Sequence, residues 1–383
     1  MPVVSPLRFD ESTFYGVKKV NVTGKIFYTP KKTANLENLR GDILLHAEFL
    51  GEIYKAFGKE RIQSLISDEE KQVKFNYELN TSQKRARHLP VQVMLFIPAL
   101  TYSNPSENEL SFILSTQEHY SDFYVVPTVE HLSKLMKDTT FSIHDYVTLI
   151  EQYLNMLGEY QQKVVMGMVP INIPFQYIET LMNIYLKNGI EFYCLDVGGR
   201  VALSLAQQII VIQKTLSRNK IDAFIHATNI NIGRAKQGSR TIPARDILSY
   251  GLGVDSVGEN HLRPYIRDAL KNPVINLRLF DKDTYGYHKI QDQNEVGEIY
   301  PSDSRVTIED LLDASQYKRR KAQAMFNYEQ LSIETERLKS VINEGAVGSY
   351  VRSKRYVGED SFKVITKVKE SVSQIRSLEE FLR

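Results

Sequence analysis

The chain has 383 residues, of which 42% are hydrophobic and 25% are charged, and its formal net charge is +2. This composition is typical of soluble globular proteins, and the near-neutral charge excludes attraction to nucleic acid through overall charge alone. The single cysteine, Cys194, excludes an internal disulfide and a multi-cysteine zinc site. The apolar runs are too short to span a membrane, and the N-terminus lacks the features of a secretory signal. We therefore expect a cytoplasmic protein with no membrane partner.

Residues 1–24 are predicted to form short strands and turns. Eight apolar segments rich in β-branched and aromatic residues follow, as expected of parallel strands buried on both faces. They are Lys25 to Thr29, Asp42 to Ala47, Val91 to Pro98, Phe123 to Pro127, Val164 to Val169, Glu191 to Leu195, Ala223 to Ala227 and Gly253 to Val257. Helical stretches such as Phe175 to Lys187 separate most of them. This alternation predicts a (β/α)8 TIM barrel over residues 25–270, with a doubly wound open sheet as the alternative.

The gap at about residues 49–90 is predicted to be an insertion in the barrel. It contains a predicted helix, Phe49 to Phe57, and a polar loop with the sequence NTSQKRARHLP. Residues 271–383 are predicted to form an irregular segment and a helical C-terminal extension. Thr307 caps a helix predicted to reach Asn343, and a last helix runs from Ser361 to Arg383. The long helix offers a homodimer surface, although packing on its own barrel is the other interpretation.

The candidate functional residues follow from the predicted barrel, because barrel enzymes place their chemistry on the loops after the carboxyl ends of the strands. A short helix from Ala244 to Tyr250 leads into the eighth strand. The candidate residues in and after the last three strands are two glycines and seven polar residues: Asp196, Gly198, Gly199, His226, Asn229, Asp255, Glu259, Asn260 and His261. Acids and imidazoles in such a rim suit acid–base chemistry. A helix cap is the competing interpretation for Asp196, and a rim histidine with satisfied hydrogen bonds is the one for His226.

Two other kinds of site were considered. A metal site built from His46, Glu48, His131, His226 and His261 lacks a close-spaced pair of ligands, so we predict no metal and no cofactor. The basic residues Arg234, Lys236, Arg240 and Arg263 are candidates for holding phosphates of a nucleic acid. A solvated surface is the alternative interpretation of this patch.

The order of the segments resembles that of the tRNA-guanine transglycosylase superfamily, whose members share a TIM barrel. The likeness covers about residues 8–264. The motifs that carry it are FYTP at the first strand, DILLHAEFL at the second, GMVPIN at the fifth, CLDVGGRV at the sixth and IPARDILSYGLGVDSV at the eighth. The last is the most specific, since it is similar to the family's Pro-x-Asp-Ile-Leu helix and the Gly-Val-Asp that begins the strand bearing the catalytic aspartate.

Several family positions are altered in this chain. PALTYSNP replaces the family's Asp-Ser-Gly-Gly motif after the third strand. Thr128 and Pro170 stand where a base-recognising aspartate and a base-binding glutamine are expected. Gly258 occupies the place of the nucleophilic aspartate, flanked by Asp255 and Glu259. The cysteine-rich zinc site is absent.

The resemblance implies an enzyme that exchanges guanine for a 7-deazaguanine base in nucleic acid through a carboxylate nucleophile. Asp255 or Glu259 would be that nucleophile and His226 would assist it. Asp196, Gly198, Gly199, Asn229, Asn260 and His261 would line the base pocket. The missing zinc module favours DNA over tRNA as the substrate. The competing hypotheses are a non-catalytic transglycosylase-like subunit that binds nucleic acid, and an unrelated TIM-barrel enzyme that acts on a small heterocyclic substrate.

Overall fold

The computed structural model describes residues 3–138, 141–160, 163–262, 276–291 and 293–381. The strands in these ranges are β1 (Val3–Phe9), β2 (Gly16–Val22), β3 (Lys25–Tyr28), β4 (Lys31–Asn35), β5 (Phe49–Phe57), β6 (Val91–Leu100), β7 (Phe123–Val125), β8 (Thr128–Val129), β9 (Val164–Pro170), β10 (Phe192–Arg200), β11 (Phe224–Ile230), β12 (Thr241–Pro243), β13 (Ser256–Val257), β14 (Leu277–Asp281) and β15 (Gly286–Ile290).

The α-helices in the same ranges are α1 (Lys59–Ser67), α2 (Glu69–Arg87), α3 (Glu107–Tyr120), α4 (Leu132–Lys137), α5 (Ile143–Met156), α6 (Phe175–Lys187), α7 (Ala206–Arg218), α8 (Gln293–Ile299), α9 (Ile308–Leu311), α10 (Gln316–Asn343), α11 (Val347–Arg352) and α12 (Glu359–Phe381). None of these helices has the length and apolar character needed to cross a membrane.

The largest sheet has nine strands, and every neighbouring pair in it is parallel. Its order is β7-β9-β10-β11-β13-β4-β5-β6-β8. Two three-stranded antiparallel sheets, β1-β2-β3 and β12-β15-β14, accompany it. The fold is therefore mixed α/β with a curled parallel sheet, as in TIM-like proteins.

The sheet differs from the closed eight-stranded barrel that the sequence predicts, although its two end strands are consecutive in the chain. Strand β7 pairs with β9, whereas β8 pairs with β6. Only Val126 and Pro127 separate them, and Pro127 has no N–H to donate to a ladder. Among the described residues no strand pairs with both β6 and β9, so the ladder is open at this point.

Six of the eight predicted strands overlap strands of the parallel sheet: β6, β7, β9, β10, β11 and β13. The first prediction, Lys25 to Thr29, overlaps β3, which belongs to an antiparallel sheet. The first parallel strand is instead β4, whose five residues are all buried. The second prediction, Asp42 to Ala47, is wrong because this segment forms no strand, and the side chain of Leu44 is 64% exposed.

The predicted helix Phe49 to Phe57 is also wrong, because this segment is strand β5. Its apolar residues Phe49, Leu50, Ile53, Tyr54 and Phe57 recur at helical spacing, which produced the incorrect prediction. In the structure Glu52 and Lys55, which lie between them, are inside the protein as well, where other side chains form hydrogen bonds with them.

The predicted helices agree better with the structure. Helix α6 has the predicted bounds, whereas the short helix before the eighth strand is a 3-10 helix, Ile247–Leu252. The polar segment NTSQKRARHLP is largely the end of α2 instead of a loop. The long C-terminal helix is interrupted at residues 312–315 and divides into α9 and α10. Helix α10 packs against β4 and β14 of its own chain, which brings the C-terminal extension to the parallel sheet.

Candidate functional site

Strand β5 directs a charged residue and an aromatic residue into the interior of the curled sheet. Alternate residues of a strand face the same side, so Glu52 and Tyr54 point in the same direction. Glu52 is fully buried and Tyr54 is nearly so. A buried carboxylate is stable only with hydrogen-bonding partners, and the partners of Glu52 come from two other parts of the chain.

Three donors surround the Glu52 carboxylate. The backbone N–H of Glu259 donates to Oε1 at 2.7 Å. The Nε2 atom of His261 lies 3.0 Å from the same oxygen, and Nε2 of His226 lies 3.1 Å from Oε2. Glu52 therefore connects β5 to β11 and to the segment that follows β13.

The two histidines are oriented by further contacts. Nδ1 of His226 lies 2.8 Å from the hydroxyl oxygen of Ser256, which pairs with it across the sheet. The ring of His261 is stacked on that of Tyr54, with centroids 4.7 Å apart and an angle of 1° between the planes. The backbone N–H of His261 donates to Oδ1 of Asn229 at 3.1 Å. Each ring is thus held in one orientation toward the carboxylate.

The charges in this group shift one another's protonation. Burial by itself would raise the pKa of Glu52, but the charge of His261 and the hydrogen bonds from both histidines outweigh it and hold the pKa well below its usual value. Burial would lower the pKa of His261, but the Glu52 carboxylate outweighs this effect and raises it. Glu52 and His261 therefore form a buried ion pair when the imidazole is protonated.

Gly258 lies directly against the Glu52 carboxylate. A Cβ atom built on Gly258 would be 2.4 Å from Oε2 and 2.6 Å from Oε1 of Glu52. Non-bonded carbon and oxygen atoms do not approach this closely, so a side chain at position 258 and the carboxylate of Glu52 exclude each other. The position at which the family resemblance places a nucleophilic carboxylate is therefore adjacent to a carboxylate supplied by another strand.

A second buried carboxyl group, Asp196, lies at the carboxyl end of β10. It accepts hydrogen bonds from Thr128 Oγ1 at 3.0 Å, from Asn229 Nδ2 at 3.0 Å and from the N–H of Gly198 at 2.9 Å. Burial raises the pKa of Asp196, and the three hydrogen bonds act against that rise. Because Asn229 contacts both Asp196 and His261, it connects this carboxyl group to the Glu52 cluster.

The glycines after Asp196 allow an irregularity in β10, where the pairing with β11 shifts register between Asp196 and Arg200. Gly198 and Gly199 have φ values of +62° and +72°, a region that residues with a side chain rarely adopt. A Cβ atom on Gly198 would also lie 2.2 Å from Nδ2 of Asn172. The double glycine is required by backbone conformation and close packing.

A cavity of about 380 Å³ lies beside the Glu52 cluster, between the sheet and helix α10. Its charged lining residues are Lys32, Asp246, Glu259 and Arg278. Amide and aromatic side chains complete it, including Asn231, Asn260, Gln323, Asn327, Tyr287 and Tyr328. The cavity can therefore offer hydrogen-bond donors, acceptors and aromatic faces to a small polar ligand.

The Glu259 carboxylate borders this cavity. Its Oε2 accepts a hydrogen bond from Asn38 Nδ2 at 2.9 Å, and the same amide lies 3.4 Å from the hydroxyl of Tyr328 in α10. Its backbone N–H is held by Glu52. The side chain is only partly buried, so it is the candidate carboxylate with access to solvent.

Asp255 lies apart from these residues, at the amino end of β13. Its Oδ2 accepts hydrogen bonds from Lys18 Nζ and from the N–H of Ile225, both at 2.8 Å. Burial raises the pKa of Asp255, and the Lys18 ammonium opposes that rise. The structure thus brings His226, His261, Asn229, Asp196 and Glu259 together, but it places Asp255 in a buried ion pair at the other end of the strand.

The predicted nucleic-acid contacts are partly described. Arg234, Lys236 and Arg240 are exposed in the segment between β11 and β12, and Arg240 is paired with Glu295. Asn260 is exposed at the edge of the cavity. Arg263 lies outside the described residues. The exposed side chains of Arg234 and Lys236 therefore lie in the segment that follows the strand bearing His226, and the start of this segment lines the cavity.

Of the residues considered as metal ligands, only His226 and His261 come together, and they do so around Glu52 at hydrogen-bonding distance. Within the described ranges no group of three or more His, Cys, Asp or Glu side chains is arranged to hold a metal ion. His46 and Glu48 precede β5, and His131 precedes α4.

Four residues of the site are not among those predicted from the sequence: Glu52, Tyr54, Lys32 and Tyr328. One of them carries a signal in the sequence, because Glu52 interrupts the apolar segment FLGEIYKAF. A charged residue inside an apolar segment indicates a buried polar partner elsewhere in the fold.

No protein-family model matches this sequence, and no curated protein matches it.

Proposed function

We propose that this protein exchanges guanine for a 7-deazaguanine base in nucleic acid, with DNA favoured over tRNA, on a TIM-like barrel. The curled parallel sheet supports this fold, since residues 123–129 carry both of its end strands and keep those ends next to each other in the chain. Catalytic residues of such barrels lie at the carboxyl ends of the strands. Glu259 and His261, which follow β13, and the cavity residue Asn231, which follows β11, lie on that side.

The observation that carries the proposal is the position of Glu259. Among the described residues, Glu259 is the only partly buried carboxylate that borders the 380 Å³ cavity, and its backbone is fixed by Glu52. In the proposed reaction its carboxylate attacks C1′ of the target nucleotide, and guanine leaves with the bonding electrons and takes up a proton. A ring nitrogen of the 7-deazaguanine base then attacks C1′, gives up its proton and releases Glu259.

The other groups have supporting roles in this reaction. Asp196, with its raised pKa, is suited to hydrogen-bond the edge of the purine, and the bare backbone of Gly199 lets a flat base approach closely. The target nucleotide has to leave its stack before C1′ is accessible, and Arg234 and Lys236 are placed to hold the adjoining phosphates.

The test is mass spectrometry of nucleosides from DNA and from tRNA that have been incubated with the protein and a 7-deazaguanine base. We expect the modified nucleoside in DNA, its loss in Glu259→Gln, and its retention in Asp255→Asn once the amount of folded protein is matched. A transglycosylase acting on its own substrate is the positive control. If this control gives the modified nucleoside while both pools incubated with the present protein stay unmodified, the proposal is wrong.

A non-catalytic protein that binds nucleic acid is the second candidate, and the Glu52–Gly258 contact favours it. The carboxylate nearest to position 258 is fully buried and is engaged by three donors, so it has no free access to a substrate. This candidate predicts salt-dependent binding to DNA that falls in Arg234→Ala/Lys236→Ala, without base exchange in any variant.

A further inference from the structure

Lys32 differs from most buried lysines of this protein in its partners. Lys18, Lys31, Lys55 and Lys282 are buried and each contacts a carboxylate. Lys32 is 4% exposed, and its Nζ donates at 2.9 Å to two backbone carbonyls, those of Val257 and Gly258. It forms no salt bridge with the described residues.

The number of partners fits a neutral amine. A protonated lysine has three N–H donors, whereas a neutral lysine has two N–H donors and a lone pair. Two carbonyl acceptors satisfy both donors of the neutral form and leave the lone pair free. A buried ammonium without a counter-ion is also unfavourable.

The charges around Lys32 do not reverse this preference. Burial lowers the pKa of the Lys32 amine, while the carboxylates of Glu259, Asp246 and Glu52 act in the opposite direction without restoring its ordinary value. The ring of Tyr328 lies over Nζ at 5.9 Å.

We propose that Lys32 is a nucleophilic amine that condenses with a small polar aldehyde or ketone in the 380 Å³ cavity to form an imine. The location supports this chemistry because Lys32 lies on a strand of the parallel sheet and lines the cavity. A lysine that is desolvated in a pocket is a known kind of activated nucleophile for carbonyl substrates. The proposal is independent of base exchange.

The reaction balances without an oxidant or a reductant. The amine lone pair forms a C–N bond to the carbonyl carbon, and the C=O π electrons move to oxygen, which becomes a hydroxyl. The two amine hydrogens then leave with that oxygen as one water molecule, and the C=N bond forms. Asp246, whose pKa is raised by burial, borders the cavity and is suited to protonate the departing hydroxyl.

The experiment uses glyoxylate as the carbonyl probe and cyanoborohydride to reduce the imine. Initial labelling rates at individual lysines are measured by peptide mass spectrometry from pH 6 to pH 10. Lys74 is the exposed reference, and Lys31 is the buried reference that contacts carboxylates. A lowered pKa enlarges the neutral fraction of the amine at pH 7, so Lys32 should react faster than Lys74.

Two variants separate reactivity from folding. Asp246→Asn should slow labelling at Lys32 and leave the rate at Lys74 unchanged. Lys32→Arg should remove the fast reaction without increasing the labelling of Lys31, which reports on the integrity of the buried sheet. Labelling of Lys32 in the folded protein no faster than that of Lys74 would overturn the proposal.

Discussion

The carboxylate of Glu52 occupies the space that a side chain at Gly258 would need, with 2.4 Å between its Oε2 and a Cβ atom built on the glycine. Glu52 lies on β5 and Gly258 directly follows β13, yet the Glu52 carboxylate and any side chain at position 258 exclude each other. Glu52 cannot move away without losing its contacts with His226, His261 and the N–H of Glu259. This relationship has a direct consequence for stability.

Gly258→Ala should lower the free energy of unfolding by about 2–3 kcal/mol, the usual effect of overpacking a well-ordered interior. In a Glu52→Ala background the same substitution should cost less than about 1 kcal/mol, because the obstructing carboxylate is gone. Urea unfolding of the four proteins in this double-mutant cycle measures the difference. Equal costs in both backgrounds would contradict the steric argument.

The Glu52–His261 pair should make stability depend on pH. The raised pKa of His261 means that its contribution is complete below about pH 6.5, the unfolded value, and is lost as the pH rises through the folded pKa. The lowered pKa of Glu52 means that its contribution is present above about pH 4.3 and is lost as the pH falls through the folded pKa. Both contributions are present between these two values.

Glu52→Gln should therefore cost most stability near pH 5.5, and its cost should shrink as the pH rises above about 6.5, by roughly 1.4 kcal/mol for each unit by which Glu52 raises the pKa of His261. Urea unfolding at pH 5.5, 7 and 8.5 tests this. His119→Asn, which changes an exposed histidine on α3, is the matched control. A cost of Glu52→Gln that is the same at all three pH values would refute the assignment of the pair.

Thr128→Val should destabilise the protein by about 1.5–3 kcal/mol, since it removes a hydroxyl donor from a buried carboxyl group at nearly constant side-chain volume. Thr128→Ser keeps the hydroxyl and serves as the control. Loss of this donor should also raise the pKa of Asp196 further, so the cost should diminish below the folded pKa, where the carboxyl group is neutral. Denaturant unfolding of both variants across acidic pH measures these effects, and a fully stable Thr128→Val would disprove the role of the hydrogen bond.

Lys18→Met should cost about 3–5 kcal/mol at pH 7, because it leaves the buried Asp255 without its counter-ion. Adding Asp255→Asn should recover part of that loss, since the uncompensated charge is removed. Thermal and urea unfolding of the single and double variants decide the matter. If the double variant were less stable than Lys18→Met, the ion pair would not account for the burial of Asp255.

The sequence predicted the parallel α/β organisation because its strands read as apolar segments between amphipathic helices. The prediction from periodicity was wrong at Phe49–Phe57, a strand whose apolar residues have helical spacing. A half-exposed strand would show alternating apolar and polar residues, but this strand does not, because Glu52 and Lys55 are buried together with its apolar residues. Partners for these side chains come from distant parts of the chain, and one sequence gives no indication of such pairings.

The candidate site was predictable to a similar extent. Asp196 lies in β10, His226 and Asn229 lie in β11, and Glu259 and His261 follow β13. The structure brings these five residues together. Asp255 lies directly before β13, which has only two residues, Ser256 and Val257. The two ends of this strand are therefore very close together in the sequence. The apolar pattern does not define strand bounds accurately enough to show at which end of such a short strand a residue lies.

The cavity forms only when helix α10 is in place, because residues of α10 make one of its walls. One wall carries Lys32 from β4 and another carries Tyr328 from α10, so residues from near the two ends of the chain have to meet. Contacts between such distant segments form slowly, and a chain on the ribosome emerges from its N-terminus. The parallel strands are therefore complete before the cavity exists, and a nascent chain becomes competent to bind a ligand there only after α10 has been synthesised and has docked.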